Sequence, residues 1–199
     1  MKKLLVIRAS ADIGDKAILD IYCHAEHYGI VPEAIEVNSL EDLKGKLNGK
    51  MYDYVYFAGH GNGNCFGDPT RFIADWAEIG KVICTTDCLN KGAIVMLYCC
   101  KGGLNVVAYQ LFSACSEIEY ICGAKQNMKN IDLIIGFNVF LYNIENRNID
   151  PVLSAQKATL ATEIRFECFD RTEVEANPLY FYRYCPDCNK DPEDEDVLE

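Results

Sequence analysis

Two short segments of the chain place a histidine and a cysteine directly after stretches that are predicted to be buried β-strands. His60 lies in a Gly-His-Gly segment that follows the apolar run 52–58, and Cys100 lies in a Cys-Cys-Lys-Gly-Gly segment that follows the run 92–98. The carboxyl ends of neighbouring strands in an open parallel sheet lie side by side, so we expect the two segments to meet. An imidazole beside a thiol is the minimum for nucleophilic catalysis by cysteine, in which the thiolate attacks a carbonyl carbon.

Backbone groups next to this pair complete the predicted chemistry. The amide of Gly61, directly after the histidine, and the amide of Cys100 are expected to face the same cleft. Two such donors form an oxyanion hole, which stabilises the negative charge that develops on a carbonyl oxygen during attack. Gly102 and Gly103 are expected to let a substrate backbone approach closely, because glycine carries no side chain.

Strands that alternate with helices along the chain predict how these segments are positioned. This order is typical of a three-layer α/β/α sandwich with a mostly parallel sheet. The segment 59–70 is predicted to be a loop rich in glycine and asparagine. The predicted strands are 2–7, 33–37, 51–58, 93–98, 118–123 and 179–184, and the predicted helices are 16–28, 40–47 after an N-cap at Ser39, 71–79 with an irregular continuation to 89, 104–113, 130–144 and 150–168.

Length and charge limit the classes of function. A chain of 199 residues is expected to form one domain, here 1–184, followed by an acidic and disordered tail, 185–199. Segment 186–199 holds seven acids and one lysine and so contributes −6 to the formal net charge of −11. An acidic chain without a basic stripe is not expected to bind nucleic acid. No apolar run approaches the roughly 20 residues that span a bilayer, so no membrane association is expected.

The eleven cysteines are expected to be reduced thiols of a cytoplasmic protein. Several lie inside apolar helix or strand patterns, where a thiol acts as a small hydrophobic group. Cys185-Pro-Asp-Cys188 resembles half of a zinc knuckle, and Cys84 with Cys88 is a candidate for the other half. Free thiols are favoured over this arrangement, so neither a metal nor a cofactor is predicted.

The histidine and cysteine segments, taken with their strands, resemble the caspase-like (clan CD) cysteine peptidases, most closely the CHAT branch and next the metacaspases. Segment 56–61 (Tyr-Phe-Ala-Gly-His-Gly) is similar to the family's histidine block, and segment 94–103 is similar to its cysteine block. Segments 136–142 and 150–158 resemble, more weakly, the CHAT helix pair. The resemblance covers about residues 1–170 and implies a caspase-like, flavodoxin-like topology.

The resemblance implies a cysteine endopeptidase, a hydrolase that cleaves a protein or peptide substrate without a cofactor. Cys100 would be the nucleophile and His60 the general acid and base, with the amides of Gly61 and Cys100 binding the oxyanion. Cys99 competes as nucleophile, but Cys100 has the better spacing to the glycines that follow. A chain of this size has little room for a regulatory domain, so control by a separate protein partner or by self-association is expected.

Two further residues are implicated in substrate binding by the same resemblance. Tyr98 occupies a position that carries an acidic residue of the specificity pocket in metacaspases. Arg8, at the end of the first strand, lies where related enzymes place specificity residues, and it would pair with an acidic substrate residue before the scissile bond. Three acids would instead select a basic residue there, and the sequence leaves both alternatives open. These acids are Asp12, Asp15 and Asp68.

Two other classes of function compete with the peptidase. A caspase-like module that has lost catalysis would act by binding, with His60 and Cys100 kept as packing residues. A flavodoxin-like ligand-binding or redox protein would carry a chromophore or small molecule on purification. Reactivity of the Cys100 thiol distinguishes the first alternative from the peptidase, and absorbance of the purified protein tests the second.

Overall fold

The inner strands present apolar side chains to both faces of the sheet, as buried parallel strands do. Along strand 52–58, Val55 and Phe57 belong to the core on one face, and Tyr54 and Tyr56 belong to the core on the other. Helices must therefore cover both faces. The computed structural model of the chain, which describes residues 1–176, confirms the predicted α/β class and the three-layer α/β/α arrangement.

Six strands form the main sheet, and two more form a separate hairpin. The strands are β1 (Lys3–Arg8), β2 (Val31–Glu36), β3 (Tyr52–Ala58), β4 (Cys65–Asp68), β5 (Phe72–Asp75), β6 (Leu89–Tyr98), β7 (Ile118–Ala124) and β8 (Phe166–Asp170). The main sheet has the order β2-β1-β3-β6-β7-β8, and β4 pairs with β5. The first five strands of the sheet are parallel, in the order of flavodoxin-like folds, and β8 is antiparallel to β7.

The helices divide between the two faces. They are α1 (Asp15–His27), α2 (Leu40–Leu47), α3 (Trp76–Thr85), α4 (Asn105–Ala114), α5 (Asn130–Arg147), α6 (Pro151–Thr162) and the short α7 (Arg171–Ala176). Apolar residues of α2, α3 and α4 pack on one face, and those of α1, α5 and α6 pack on the other. The predicted N-cap of α2 is confirmed, since Ser39 Oγ accepts a hydrogen bond from the Asp42 amide at 3.0 Å.

Within residues 1–176, no helix combines the length and apolar character needed to cross a bilayer.

The prediction of an irregular loop over 59–70 and a helix from 71 was wrong. Segment 65–75 is the hairpin of β4 and β5, and α3 begins only at Trp76. The turn between the strands is fixed by Asp68, whose Oδ1 accepts hydrogen bonds from the amide and the hydroxyl of Thr70 at 2.8 and 2.7 Å. Phe66 is fully buried between Phe57 and Trp76, so burial of aromatic rings favours the hairpin over a loop.

The prediction of one helix over 150–168 was also wrong in its second half. Helix α6 ends at Thr162, because Glu163 adopts a left-handed conformation with φ of 60°. The chain then forms β8, which adds an antiparallel strand to the sheet and places Cys168 opposite Cys122 in the core. The strand predicted at 179–184, the tail and Cys185 with Cys188 lie outside the described residues.

Candidate active site

The register of β3 and β6 brings the histidine and cysteine segments together. The two strands are parallel neighbours, with Ala58 paired to Tyr98. The pairing continues one residue further, because the Gly59 amide donates a hydrogen bond to the Tyr98 carbonyl at 3.2 Å. His60 and Cys100 each lie two residues beyond the last paired position, so both leave the same edge of the sheet at the same level.

Gly61 lies directly against the cysteine segment. A Cβ atom at this position would be 2.7 Å from the Sγ of Cys99 and 3.4 Å from the carbonyl oxygen of Cys100. Only glycine permits the first of these distances. Within the described part of the chain, neither the Gly61 amide nor the Cys100 amide meets a hydrogen-bond acceptor. Both amides are therefore available as donors, as an oxyanion hole requires.

The two adjacent cysteines differ in their access to solvent. Cys99 is only 1% exposed, and burial raises the pKa of its thiol well above the usual value, so Cys99 stays a neutral thiol at neutral pH. Cys100 is partly exposed, and its Sγ makes only a weak contact, 4.0 Å, with the carbonyl oxygen of Met128. Of the two thiols, Cys100 is the one that a substrate can reach.

Two residues that the sequence analysis did not assign to the catalytic pair hold His60 in place. The Nε2 atom of His60 lies 2.8 Å from Oδ2 of Asp12, and the His60 amide donates a hydrogen bond to Oγ of the fully buried Ser10 at 3.2 Å. The sequence places Asp12 only among the candidate specificity residues. The missed signal is its place just after β1, the strand next to β3, because parallel neighbours end at one edge of the sheet.

Replacing Asp12 with asparagine is expected to lower the reactivity of Cys100 about 10-fold without unfolding the protein. The carboxylate accepts from Nε2 and so orients the His60 ring. The loss should be smaller than the roughly 10⁴-fold effect of a buried triad carboxylate, since Asp12 is 59% exposed. The rate of Cys100 alkylation by a peptide electrophile measures the effect. Asp15→Asn is the matched control, because Asp15 pairs with Arg8 instead; equal rates for both variants would contradict a role for Asp12.

Gly102 and Gly103 serve the packing of the chain itself. The prediction that they leave room for a substrate backbone is wrong, because both are buried. A Cβ at Gly102 would be 2.6 Å from the Cβ of Leu97, and one at Gly103 would be 2.3 Å from the carbonyl oxygen of Gly123. The space over these glycines is therefore filled by β6 and β7, and the turn after Cys100 is pressed against the end of β7.

Arg8 lies at the same edge of the sheet but is already paired with acids. Its Nη1 atom is 2.7 Å from Oδ1 of Asp15 and 3.1 Å from Oε1 of Glu36. A cavity of about 460 Å³ lies beside these groups, between α1 and β2. All of its lining residues come from β1, α1 and β2, so the cavity opens on the side of β1 that faces away from β3 and β6. The lining residues are Arg8, Asp15, Lys16, Ile18, Leu19, Tyr22, Ala34, Ile35 and Glu36.

Tyr98 is a core residue in the structure. Its side chain is 1% exposed, packs on Tyr56, and donates a hydrogen bond from its hydroxyl to the Asn130 carbonyl at 3.1 Å. Because Tyr98 offers no surface to a ligand, the structure shows a packing role for its side chain. The predicted contact with substrate would require Tyr98 to leave the core.

The segment that follows His60 is anchored to the rest of the domain. The indole of Trp76 donates a hydrogen bond to the Asn62 carbonyl at 2.9 Å, and the Asn62 side chain accepts one from the Asn64 amide at 2.8 Å. The pKa of Asp68 is lowered mainly by its hydrogen bonds with Thr70, and the charge of His60 lowers it further. Asp68 thus adds negative potential near His60, along with Asp12.

Comparison with known proteins leaves the family of the chain open. No family model matches it, and no match is found among curated proteins. Among solved structures, it is similar to the O-acetylhomoserine sulfhydrylase of Wolinella succinogenes, a sulfur-transfer enzyme of methionine biosynthesis, with 12% identity and a TM-score of 0.38. The similarity covers 81% of this chain, which spans about half (49%) of that protein. A similarity at this level carries no argument about function.

Proposed function

We propose that the chain is a cysteine endopeptidase of the caspase/CHAT type, with Cys100 as nucleophile and His60 as general acid and base. The observation that carries the proposal is the register of β3 and β6, in which His60 and Cys100 leave neighbouring parallel strands at one level. The same edge of the sheet carries a partly exposed thiol, an imidazole held by a carboxylate, and two backbone amides without acceptors among the described residues. These are the parts that attack on a peptide carbonyl requires.

The reaction follows from the roles of these groups. The Cys100 thiolate attacks the carbonyl carbon of the scissile bond, and the amides of Gly61 and Cys100 hold the oxyanion. His60, protonated, gives its proton to the leaving amine, and an acyl-enzyme remains on Cys100. Neutral His60 then accepts a proton from water as the water attacks the thioester, which releases the acid and restores the thiol.

The setting of the enzyme is part of the same proposal. The nine cysteines among the described residues are all free thiols, which fits a cytoplasmic protein. The substrate is a protein or peptide, and a separate protein partner regulates access to it. Selection of an acidic residue before the scissile bond would require Arg8 to exchange Asp15 and Glu36 for a substrate carboxylate. Selection of a basic residue by Asp12 would require Asp12 to exchange His60 for a substrate cation.

Covalent labelling tests the proposal directly. The reduced protein is treated with a mild peptide electrophile, and the labelled site is identified by intact mass and peptide mapping. We expect selective labelling of Cys100 in the wild type and in Cys99→Ala, none at this site in Cys100→Ala, and labelling slowed by about 10²-fold in His60→Ala, because the base is lost. Selective labelling of Cys100 at the same rate in His60→Ala as in the wild type would contradict the catalytic pair. Indiscriminate labelling of many cysteines would favour a caspase-like module that acts by binding.

A further inference from the structure

Three side chains of metal-binding type meet at the edge of the sheet opposite His60 and Cys100. The thiols of Cys84 and Cys115 and the carboxylate of Glu117 offer ligand atoms that lie within 4.8 Å of one another. Cys84 is in the last turn of α3, Cys115 directly follows α4, and Glu117 directly precedes β7. Because β7 runs parallel to β3 and β6, its first residue lies at the far end of the sheet from the candidate active site.

Close packing of two helices brings the two thiols together. A Cβ atom at Gly80 would be 2.7 Å from the Cβ of Ala114, so α3 and α4 touch at a distance that only glycine permits. Cys84 is one helical turn after Gly80, and Cys115 is the residue after Ala114. The pair of cysteines therefore continues the same helix contact towards the edge of the sheet.

The third side chain, Glu117, is fixed beside Cys115. Its backbone carbonyl accepts hydrogen bonds from the amides of Gly92 and Ala93, both at 3.1 Å, which ties it to the start of β6. Its carboxylate accepts a hydrogen bond from the Ser116 hydroxyl at 2.7 Å and one from the Cys115 thiol at 3.3 Å. A thiol proton thus occupies the space between sulfur and carboxylate, where a cation could bridge the two.

From this geometry we infer that Cys84, Cys115 and Glu117 form a binding site for Zn²⁺. Two thiolates and a carboxylate are a ligand set that zinc accepts, with Zn–S about 2.3 Å and Zn–O about 2.0–2.2 Å. Ligand atoms around a tetrahedral zinc are then roughly 3.5–3.8 Å apart, which small side-chain movements reach from the present arrangement. Cys84 is exposed and is the ligand that moves; Cys115 is buried.

Charge and coordination define the kind of site. Binding forms two Zn–S bonds and one Zn–O bond, and the two thiol protons leave to solvent. The site then carries one negative charge, and the Arg171 guanidinium, which also pairs with Glu175, lies beside it through a hydrogen bond to the Cys115 carbonyl. Three protein ligands leave the fourth position to water, so the metal is exchangeable. Bound zinc joins α3 to the connection between α4 and β7.

Metal titration of the reduced full-length chain tests this site. Co²⁺ serves as the probe, because its thiolate complexes absorb in the near ultraviolet, and Zn²⁺ is then added to displace it. We expect one equivalent of Co²⁺ to bind to the wild type, and both Cys84→Ser and Glu117→Gln to bind at least about tenfold more weakly. Zn²⁺ should raise the melting temperature of the wild type but not that of Cys84→Ser.

Two control variants separate this site from the other thiols. Cys23→Ser removes an exposed thiol on α1, and Cys185→Ser/Cys188→Ser removes the zinc-knuckle-like pair; both are expected to bind Co²⁺ as the wild type does. Circular dichroism of each variant confirms that it is folded. The inference is overturned if the wild type binds neither ion, or if Cys84→Ser binds Co²⁺ as tightly as the wild type.

Discussion

Peptide hydrolysis is expected to fall by at least about 10³-fold when Cys100 is replaced with alanine, because the adjacent Cys99 thiol is buried and cannot replace it as the nucleophile. Folding should be retained, since Cys100 is partly exposed and makes only a weak contact with Met128. The assay uses a pool of peptides that contains every residue type before the scissile bond, with cleavage detected by mass spectrometry. Cys99→Ala is the matched control, and it should keep most of the activity.

A double variant shows whether the two residues act as one unit. Residues of one catalytic unit are strongly non-additive, so His60→Ala/Cys100→Ala should be no slower than Cys100→Ala alone. Independent residues would instead multiply their separate losses. Activity that survives in Cys100→Ala would assign the hydrolysis to another residue, and a wild type that cleaves no peptide in the pool would favour the binding module.

Gly103→Ala is expected to destabilise the protein by about 3 kcal/mol. The added Cβ would be 2.3 Å from the carbonyl oxygen and 2.6 Å from the carbonyl carbon of Gly123, and backbone atoms in β7 cannot move aside as a flexible side chain can. For a chain of this size, the loss corresponds to a melting temperature lower by roughly 6–12 °C. Calorimetry or thermal circular dichroism measures the change.

Gly45→Ala provides the control for this substitution. Gly45 is an exposed position inside α2, and a Cβ there would meet no atom within 4 Å. Alanine should therefore stabilise the protein by about 0.5–1 kcal/mol, since it favours helix over the unfolded chain. A Gly103→Ala variant as stable as Gly45→Ala would show that the turn after Cys100 can move away from β7, contrary to the close packing described above.

Most of the sheet could be predicted from the sequence because its inner strands are short apolar runs that end at a turn. The runs for β1, β3, β6 and β7 have this form, and the predicted strand ends agree with the structure to within a residue at the carboxyl edge. Those strand ends determine the positions of His60 and Cys100 at the carboxyl edge of the sheet. The site was therefore predictable as far as it depends on strand order.

The rest depended on contacts between distant segments. The hairpin β4–β5 is stabilised by packing of Phe66 on Trp76, and β8 is stabilised by pairing with a strand more than forty residues earlier in the chain. Neither contact produces a regular pattern of apolar residues in the local sequence from which a strand could be predicted. Asp68-Pro-Thr is nevertheless a recognisable turn signal. Asp12 and Ser10 were missed for a similar reason, since each acts on His60 across nearly fifty residues of chain.

The strand order also determines how the site comes into being. In β2-β1-β3-β6-β7-β8, the strands that carry His60 and Cys100 are the two innermost, each hydrogen-bonded on both sides. The amide hydrogens of these two strands are expected to exchange with solvent only when the sheet opens globally. The pairing of the two strands also joins segments that are far apart in the chain. The pair therefore cannot form in a short fragment. It exists only where β3 and β6 are paired, so a growing or clipped chain that lacks this pairing holds both residues without being able to use them.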